Sequence, residues 1–357
     1  MLCPRCHREY DASAEGRCRF DGEPLTSAPE LTLVESKPTP EKGSAYSKRY
    51  VVRGLLGEGA MARVYLAEDA LTHKLAAIKV LESPDARIPD ARERFFREVR
   101  TTEALEHPNI VRLLDAGQRR DGTAYLMMEY LFGESLGDLL RREQRLPIDK
   151  ALWIARDTAA ALAAAHAAGV IHRDVKPDNI FLIGEPGRPY ALKIVDFGLS
   201  RLQGQSGLTA MGVTVGTLEY MAPEQTVKDA TGPRTDIYGL GVVLYRMLTG
   251  RLPFGGSDTE VLAHQLISPP EAPSNIDPAI DRRIETVIMT SMRKLPRNRY
   301  PSMEDLLEDL QRLRKEKEGE IASATIFEAD VYVPQSAYAK TVAAALYKKL
   351  NRPLPWA

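Results

Sequence analysis

Eight residues, His172 to Asn179 in "HRDVKPDN", gather carboxylates, cations, an imidazole and an amide between two apolar, strand-like runs. A hydroxyl nucleophile needs a carboxylate to take or orient its proton, and Asp174 is placed for that. A phosphoryl group in transfer needs positive charge, and Lys176 sits two residues on. A hard Mg2+ ion needs oxygen ligands. Asn179 offers one, and Asp196 of "KIVDFGLS" offers a carboxylate. Asp196 stands at the end of a predicted strand, where a side chain can point into a cleft. His172 and Arg173 read as residues that position the loop rather than react.

A second group lies upstream. "LLGEGAMARVYLAE" puts Gly57 and Gly59 in a strand-turn-strand pattern, and glycines there let the backbone approach phosphates closely. An ordinary β-turn is the alternative. A dinucleotide-binding fingerprint fits poorly, because a strand and not a helix follows. Lys79, in "AAIKV", lies in an apolar strand and must be paired if it is buried. Glu98, in "FFREV", is the candidate partner. Lys79 alternates with Ile78 and Val80, so it can also simply face the other side of a sheet.

The elements that must hold these residues follow from hydrophobic periodicity. "YVVRGLLGEGAMARVYLAED" predicts a hairpin and "KLAAIKVL" a third strand. "DARERFFREVRTTEALEH" predicts a helix, with Phe95, Val99 and Thr102 at helical spacing. "HPNIVRLLDAG" and "TAYLMMEYL" predict strands. Beyond Phe132 the pattern turns helical. "DKALWIARDTAAALAAAHAAG" places Leu152, Ala155, Ala159 and Leu162 on one face and stops at Gly169. "RTDIYGLGVVLYRMLTG" is apolar nearly all round, hence a buried helix, and stops at Gly250. "DPAIDRRIETVIMTSM" and "SMEDLLEDLQRLRKE" predict closing helices. The result is a sheet region, a connector near Glu129 and a helical region.

Taken together, "GEGAMARV", "AAIK", Glu98, "HRDVKPDN", "DFG", "APE" and "DIYGLG" resemble the protein kinases of the Ser/Thr type, in particular the bacterial, eukaryotic-like group. The resemblance runs from Arg49 to Lys317 and implies an α+β, bilobal fold and phosphoryl transfer from MgATP, with Mn2+ as an alternative ion. It assigns roles by position. Asp174 is the catalytic base, and Lys176 contacts the γ-phosphate and the substrate hydroxyl. Lys79 holds the α- and β-phosphates and pairs with Glu98; Asn179 and Asp196 hold Mg2+. Leu56, Gly57, Glu58, Gly59, Ala60, Met61 and Ala62 form the phosphate-covering loop. Val64 and Ala77 cover the adenine from above and Phe181 from below. Met128 matches the gatekeeper position, and Glu129 and Leu131 offer backbone groups to the adenine edge. Glu224 and Arg299 match a buried ion pair, and Asp236 ties the helical region to the catalytic loop.

Lys176 and Thr217, the latter in "GTLEY", are similar to residues of Ser/Thr rather than Tyr kinases. Arg173 before Asp174 resembles kinases switched on by activation-segment phosphorylation. Ser206, Thr209, Thr214 and Thr217 lie in that segment, with Thr209 the best candidate acceptor and an ordinary polar loop the alternative. One departure is Ala62 at the third glycine position. Its methyl adds bulk and makes a positive φ costly, so altered nucleotide affinity is expected. A catalytically weak pseudokinase acting as a binding scaffold is the alternative function, disfavoured because Lys79, Glu98, Asp174, Lys176, Asn179 and Asp196 are all present.

The 357 residues suffice for two lobes, and 44% hydrophobic with 27% charged residues is ordinary for a globular chain. A net charge of -1 gives no global field for nucleic acid or anionic membrane. No apolar run is long enough for a membrane span, and "MLCPRCHREY" lacks a signal-peptide core, so a cytoplasmic protein is expected. Residues 1–27 form a small head, residues 28–48 a Pro- and Ser-rich linker, residues 49–317 the kinase-like domain and residues 318–357 a tail. The head holds all three cysteines, Cys3, Cys6 and Cys18; with Asp21 as fourth donor, or His7 as its rival, they resemble a zinc-ribbon-like site, and a disordered leader or reactive thiols are the alternative. Protein substrates with Ser or Thr acceptors are the expected partners. The head and tail are candidates for partner docking, and a homodimer is compatible with the sequence.

Overall fold

The computed structural model describes residues 50–58, 62–81, 99, 102–103, 105–118, 123–184, 191–197, 218–227 and 229–315. These divide into two compact units. The first takes the described residues among 50–81, 112–133 and 183–184, and the second takes the rest.

The first unit is an antiparallel sheet of β1 (Tyr50–Glu58), β2 (Ala62–Asp69), β3 (Leu75–Leu81), β4 (Leu113–Gln118) and β5 (Ala124–Glu129), in the order β1-β2-β3-β5-β4. Alternation along a strand sends successive side chains to opposite faces. One face carries the core of Tyr65, Ala67, Ala76, Ile78, Val80, Tyr125 and Met127, with Tyr50 and Val52 packed against it. Ile78 and Met127 are fully buried, each worth roughly 1.5–3 kcal/mol relative to exposure. The register puts Val64 opposite Lys79, Lys79 opposite Leu126 and Ala77 opposite Met128. Being out of phase with the core, these residues share the other face. Lys79 therefore does face the side away from Ile78 and Val80.

Apart from Gly133 and Ile183, which fall in the first unit, the second unit holds a small sheet of β6 (Gly133–Ser135), β7 (Ile180–Ile183) and β8 (Ala191–Ile194), ordered β6-β7-β8. Its helices are α1 (Leu136–Glu143), α2 (Ile148–Ala167), α3 (Pro223–Thr226), α4 (Pro233–Thr249), α5 (Asp258–Ile267), α6 (Pro273–Ile276), α7 (Arg282–Ser291) and α8 (Met303–Lys315). The predicted face of α2, Leu152, Ala155, Ala159 and Leu162, is buried, but so are Ala151, Ile154, Thr158, Ala161, Ala163 and Ala165. The helix is central rather than amphipathic, and its alanines let neighbours close on it. Gly169 follows it at φ 76°. Helix α4 is buried along almost its whole length, as predicted, and ends at Gly250 in the left-handed conformation, with the Gly250 N–H donating to the Arg246 carbonyl at 3.1 Å.

The elements differ from expectation in four places. The strand predicted across "HPNIVRLLDAG" begins only at Leu113; before it, Ile110 makes one parallel bridge to Ile194 and the Asn109 amide donates to the Leu192 carbonyl. Pro108 brings no N–H to a ladder. The helix predicted from Asp277 starts at Arg282, because the Asp281 carboxylate accepts the Arg283 N–H at 2.8 Å and caps it there. Helices α1, α3, α5 and α6 lie where no individual helix is expected from the sequence. Of the helix predicted over "DARERFFREVRTTEALEH", Val99, Thr102 and Glu103 are described and helical, whereas Leu105, Glu106 and His107 are described and not helical, so the helix ends before Leu105. No helix among the described residues is long and apolar enough to cross a membrane.

Candidate active site

The catalytic-loop candidates sit on a turn between α2 and β7, entirely within the second unit. Lys176 Nζ lies 2.9 Å from Asp174 Oδ2. The Asn179 amide nitrogen donates to the Asp174 carbonyl at 2.7 Å and to Asp174 Oδ2 at 3.0 Å. Both amide hydrogens of Asn179 are thus spent on Asp174, and its remaining polar atom is the carbonyl oxygen, a hard donor. The Val195 N–H donates to the Asn179 backbone carbonyl at 3.0 Å, which brings the end of β8, and with it Asp196, alongside the loop. The sequence expectation for Asp174, Lys176 and Asn179 meets a single interlocked cluster.

What holds this loop is buried. Asp236 of α4, 1% exposed, accepts the His172 N–H at 2.9 Å and the Arg173 N–H at 2.7 Å. It also pairs with His166 Nε2 at 2.7 Å. His172 Nδ1 accepts the Asp174 N–H at 3.2 Å, while its Nε2 donates to the Val195 carbonyl at 2.9 Å. Its ring meets Phe197 edge-on at 4.8 Å. His172 and Arg173 are thus both fastened by hydrogen bonds to the groups around the loop. Arg173 and Asp196 both hold a left-handed backbone, at φ 64° and 65°. Such angles are rare outside glycine and persist where surroundings over-determine them. Gly239 of α4 lets the helix lie against this turn: a Cβ there would meet the Val175 Cβ and carbonyl oxygen at 3.0 Å.

Glu224 and Arg299 form the expected pair, with both guanidinium Nη atoms 2.8 Å from the two carboxylate oxygens and both side chains buried. Thr235 donates to the same carboxylate, and the Tyr238 ring lies 4.8 Å from the guanidinium.

On the first unit, Gly57 lies in β1 and not at the tip of a turn. Its φ is outside the left-handed region, and among the described residues a Cβ there would meet no atom within 4 Å. Neither packing nor turn geometry demands glycine. Glu58 pairs with Arg63 across the hairpin at 3.1 Å. Leu56 is exposed at an irregularity between Leu55 and Gly57. Ala62 opens β2 with an extended backbone and no positive φ, so the conformational cost expected there does not arise. The Glu129 N–H donates to the Arg112 carbonyl at 3.0 Å, so that donor is committed within the sheet. Val64, Met128 and Leu131 are half-buried, Ala77 is buried, and in the second unit Phe181 is half-buried.

Several expected residues lie outside the described residues: Glu98, Gly59, Ala60, Met61, Thr209, Thr214, Thr217 and the zinc candidates Cys3, Cys6, Cys18 and Asp21. Among the described residues no cluster of three or more His, Cys, Asp or Glu is arranged to hold a metal. Sequence reasoning missed His166 and Gln225. His166 was visible as the one polar ring in an alanine-rich run. Gln225 gave no signal beyond following "APE".

A family model for the protein kinase domain matches residues 50–317. The chain belongs to the protein kinase family. This kinase chain is 36% identical to the serine/threonine-protein kinase PknB of Mycobacterium leprae over 272 residues, which is 75% of this chain and 43% of that protein. It is 37% identical to the serine/threonine-protein kinase Pkn1 of Myxococcus xanthus over 310 residues, 84% of this chain and 44% of that one. Among solved structures it is similar to the PknI kinase domain of Mycobacterium tuberculosis, with a TM-score of 0.61, 26% identity, and coverage of 76% of this chain and 98% of the other. The kinase chain spans less than half the length of the curated relatives named here.

Proposed function

We propose that this chain is a serine/threonine protein kinase that transfers the γ-phosphoryl group of MgATP to Ser or Thr hydroxyls of protein substrates, its own activation segment included. The observation that carries the reading is the interlocked cluster of Asp174, Lys176 and Asn179 on a turn whose backbone is held by a buried carboxylate. Asp174 would accept or orient the proton of the acceptor hydroxyl. Lys176, beside it, would place positive charge where the phosphoryl oxygens lie during transfer. When bound, MgATP supplies the phosphoryl group and the cation that neutralises it. The oxygen donors of Asn179 and Asp196 fit that cation, because the amide hydrogens of Asn179 point to Asp174.

On the first unit, Val64, Ala77, Lys79 and Met128 share the face opposite the core, where an adenine ring and its phosphates would find apolar contact and a cation. Gly57, required by nothing among the described residues, fits close approach of a phosphate to the backbone. The relatives are Ser/Thr kinases by name, and the complete catalytic set in the sequence disfavours a pseudokinase scaffold. Labelled ATP followed by phosphoamino-acid analysis and peptide mapping tests the reading. Phosphothreonine or phosphoserine, with label between Asp196 and Glu224 and Thr209 foremost, is the expected result. Label on tyrosine alone, or none, would refute it. The zinc reading of Cys3, Cys6, Cys18 and Asp21 is tested by metal analysis of protein purified without chelator, with about one zinc per chain expected.

A further inference from the structure

Arg173 is gripped at three points. Its N–H donates to Asp236, its Nε donates to the Thr231 hydroxyl at 3.2 Å, and its carbonyl accepts from Gln225 Nε2 at 2.8 Å. The last bond belongs to the peptide that joins Arg173 to Asp174. The other end of that peptide, the Asp174 N–H, is held by His172 Nδ1. One peptide plane is therefore pinned at both ends, immediately before the carboxylate proposed as the base. It follows a residue with φ 64°, a conformation Arg does not keep unaided.

Gln225 can point only one way. Its Oε1 accepts the Ala222 N–H at 3.0 Å, at the start of α3, so its Nε2 must face Arg173. An amide that accepts on one side and donates on the other is satisfied by this pairing; a carboxylate of the same shape is not. Its neighbour Glu224 is fastened to Arg299 by two hydrogen bonds, so the clamp stands on a fixed base.

We propose that Gln225 is a positioning residue for phosphoryl transfer: it couples the end of the activation segment to the Arg173–Asp174 peptide and fixes where Asp174 presents its carboxylate. This rests on the kinase reading above. Gln225 touches no reacting atom in this account; it acts through the backbone.

The test is Gln225→Glu in the full chain, beside wild type and Asp174→Asn. Glu keeps the oxygen that accepts the Ala222 N–H but sets a second oxygen against the Arg173 carbonyl. The expected result is a kcat lower by roughly tenfold to a hundredfold, with KM for ATP unchanged and faster amide deuterium exchange in residues 170–176. Wild-type kcat in Gln225→Glu would overturn the role of Gln225 and leave the kinase reading intact. So would faster exchange confined to residues 222–230, which marks a helix cap and nothing more. A wild type that transfers no phosphate sinks the kinase reading, and this role falls with it.

Discussion

Lys79 and Asp174 reach their places by different means. Lys79 sits in the middle of β3, paired on both sides, and the pleat alone decides which face it takes. Asp174 sits on an irregular turn whose preceding residue has a strained backbone, and dedicated side chains hold it: Asp236 and Gln225 on Arg173, His172 and Asn179 on Asp174 itself. A regular element needs only its register to aim a side chain. A loop needs a second layer of polar partners, and those must themselves be buried and satisfied. Changes behind the sheet face should therefore move binding little, whereas changes behind the loop should be felt at the chemistry.

Arg299→Leu should show the largest effect on stability. It leaves Glu224 buried without its cation, a loss of roughly 3–5 kcal/mol that denaturant unfolding would register. A melt close to wild type would mean that the loop is not built on this pair. Gly239→Ala comes next. Its methyl would press on Val175 next to Asp174, costing roughly 1–3 kcal/mol and lowering kcat as well, read by melting and by transfer assays. Gly57→Ala should do the opposite: stability within about 0.5 kcal/mol of wild type, but a raised KM for ATP. Unchanged KM would remove the reason offered for that glycine.

The smallest effect concerns Asp281, the cap of α7. Hydrogen bonding from the Arg283 side chain leads the influences that hold its carboxyl below the ordinary value of 3.8. A depressed folded-state value stabilises the fold above the ordinary value and ceases to do so as pH falls through the depressed one. The gap in melting temperature between wild type and Asp281→Asn should therefore narrow from pH 6 to pH 3. The group is partly exposed, so solvent screening keeps the gap small from the start.

The sheet face was legible because alternation carries orientation in the sequence: Lys79 between Ile78 and Val80 declares that it faces away from them. The helices α2 and α4 were legible from their length and glycine stops. The chemistry of "HRDVKPDN" was legible as residue types, and His172 and Arg173 as residues that hold the loop, but not the partners behind them. Asp236 was placed by resemblance alone, and Gln225 not at all. Its bond joins positions 52 residues apart, and no local pattern encodes a contact at that separation. Ala62 illustrates the converse. A glycine position suggested strain, but the residue lies in a strand, where Ala is at ease.

The most direct measurement is phosphate transfer from labelled ATP by phosphatase-treated wild type beside Asp174→Asn, with nucleotide binding followed in both. The account predicts transfer by the wild type, a loss of roughly 10²–10⁴-fold in the variant, and ATP binding retained by both. Equal transfer by the two proteins, or ATP binding without transfer in the wild type, would contradict it.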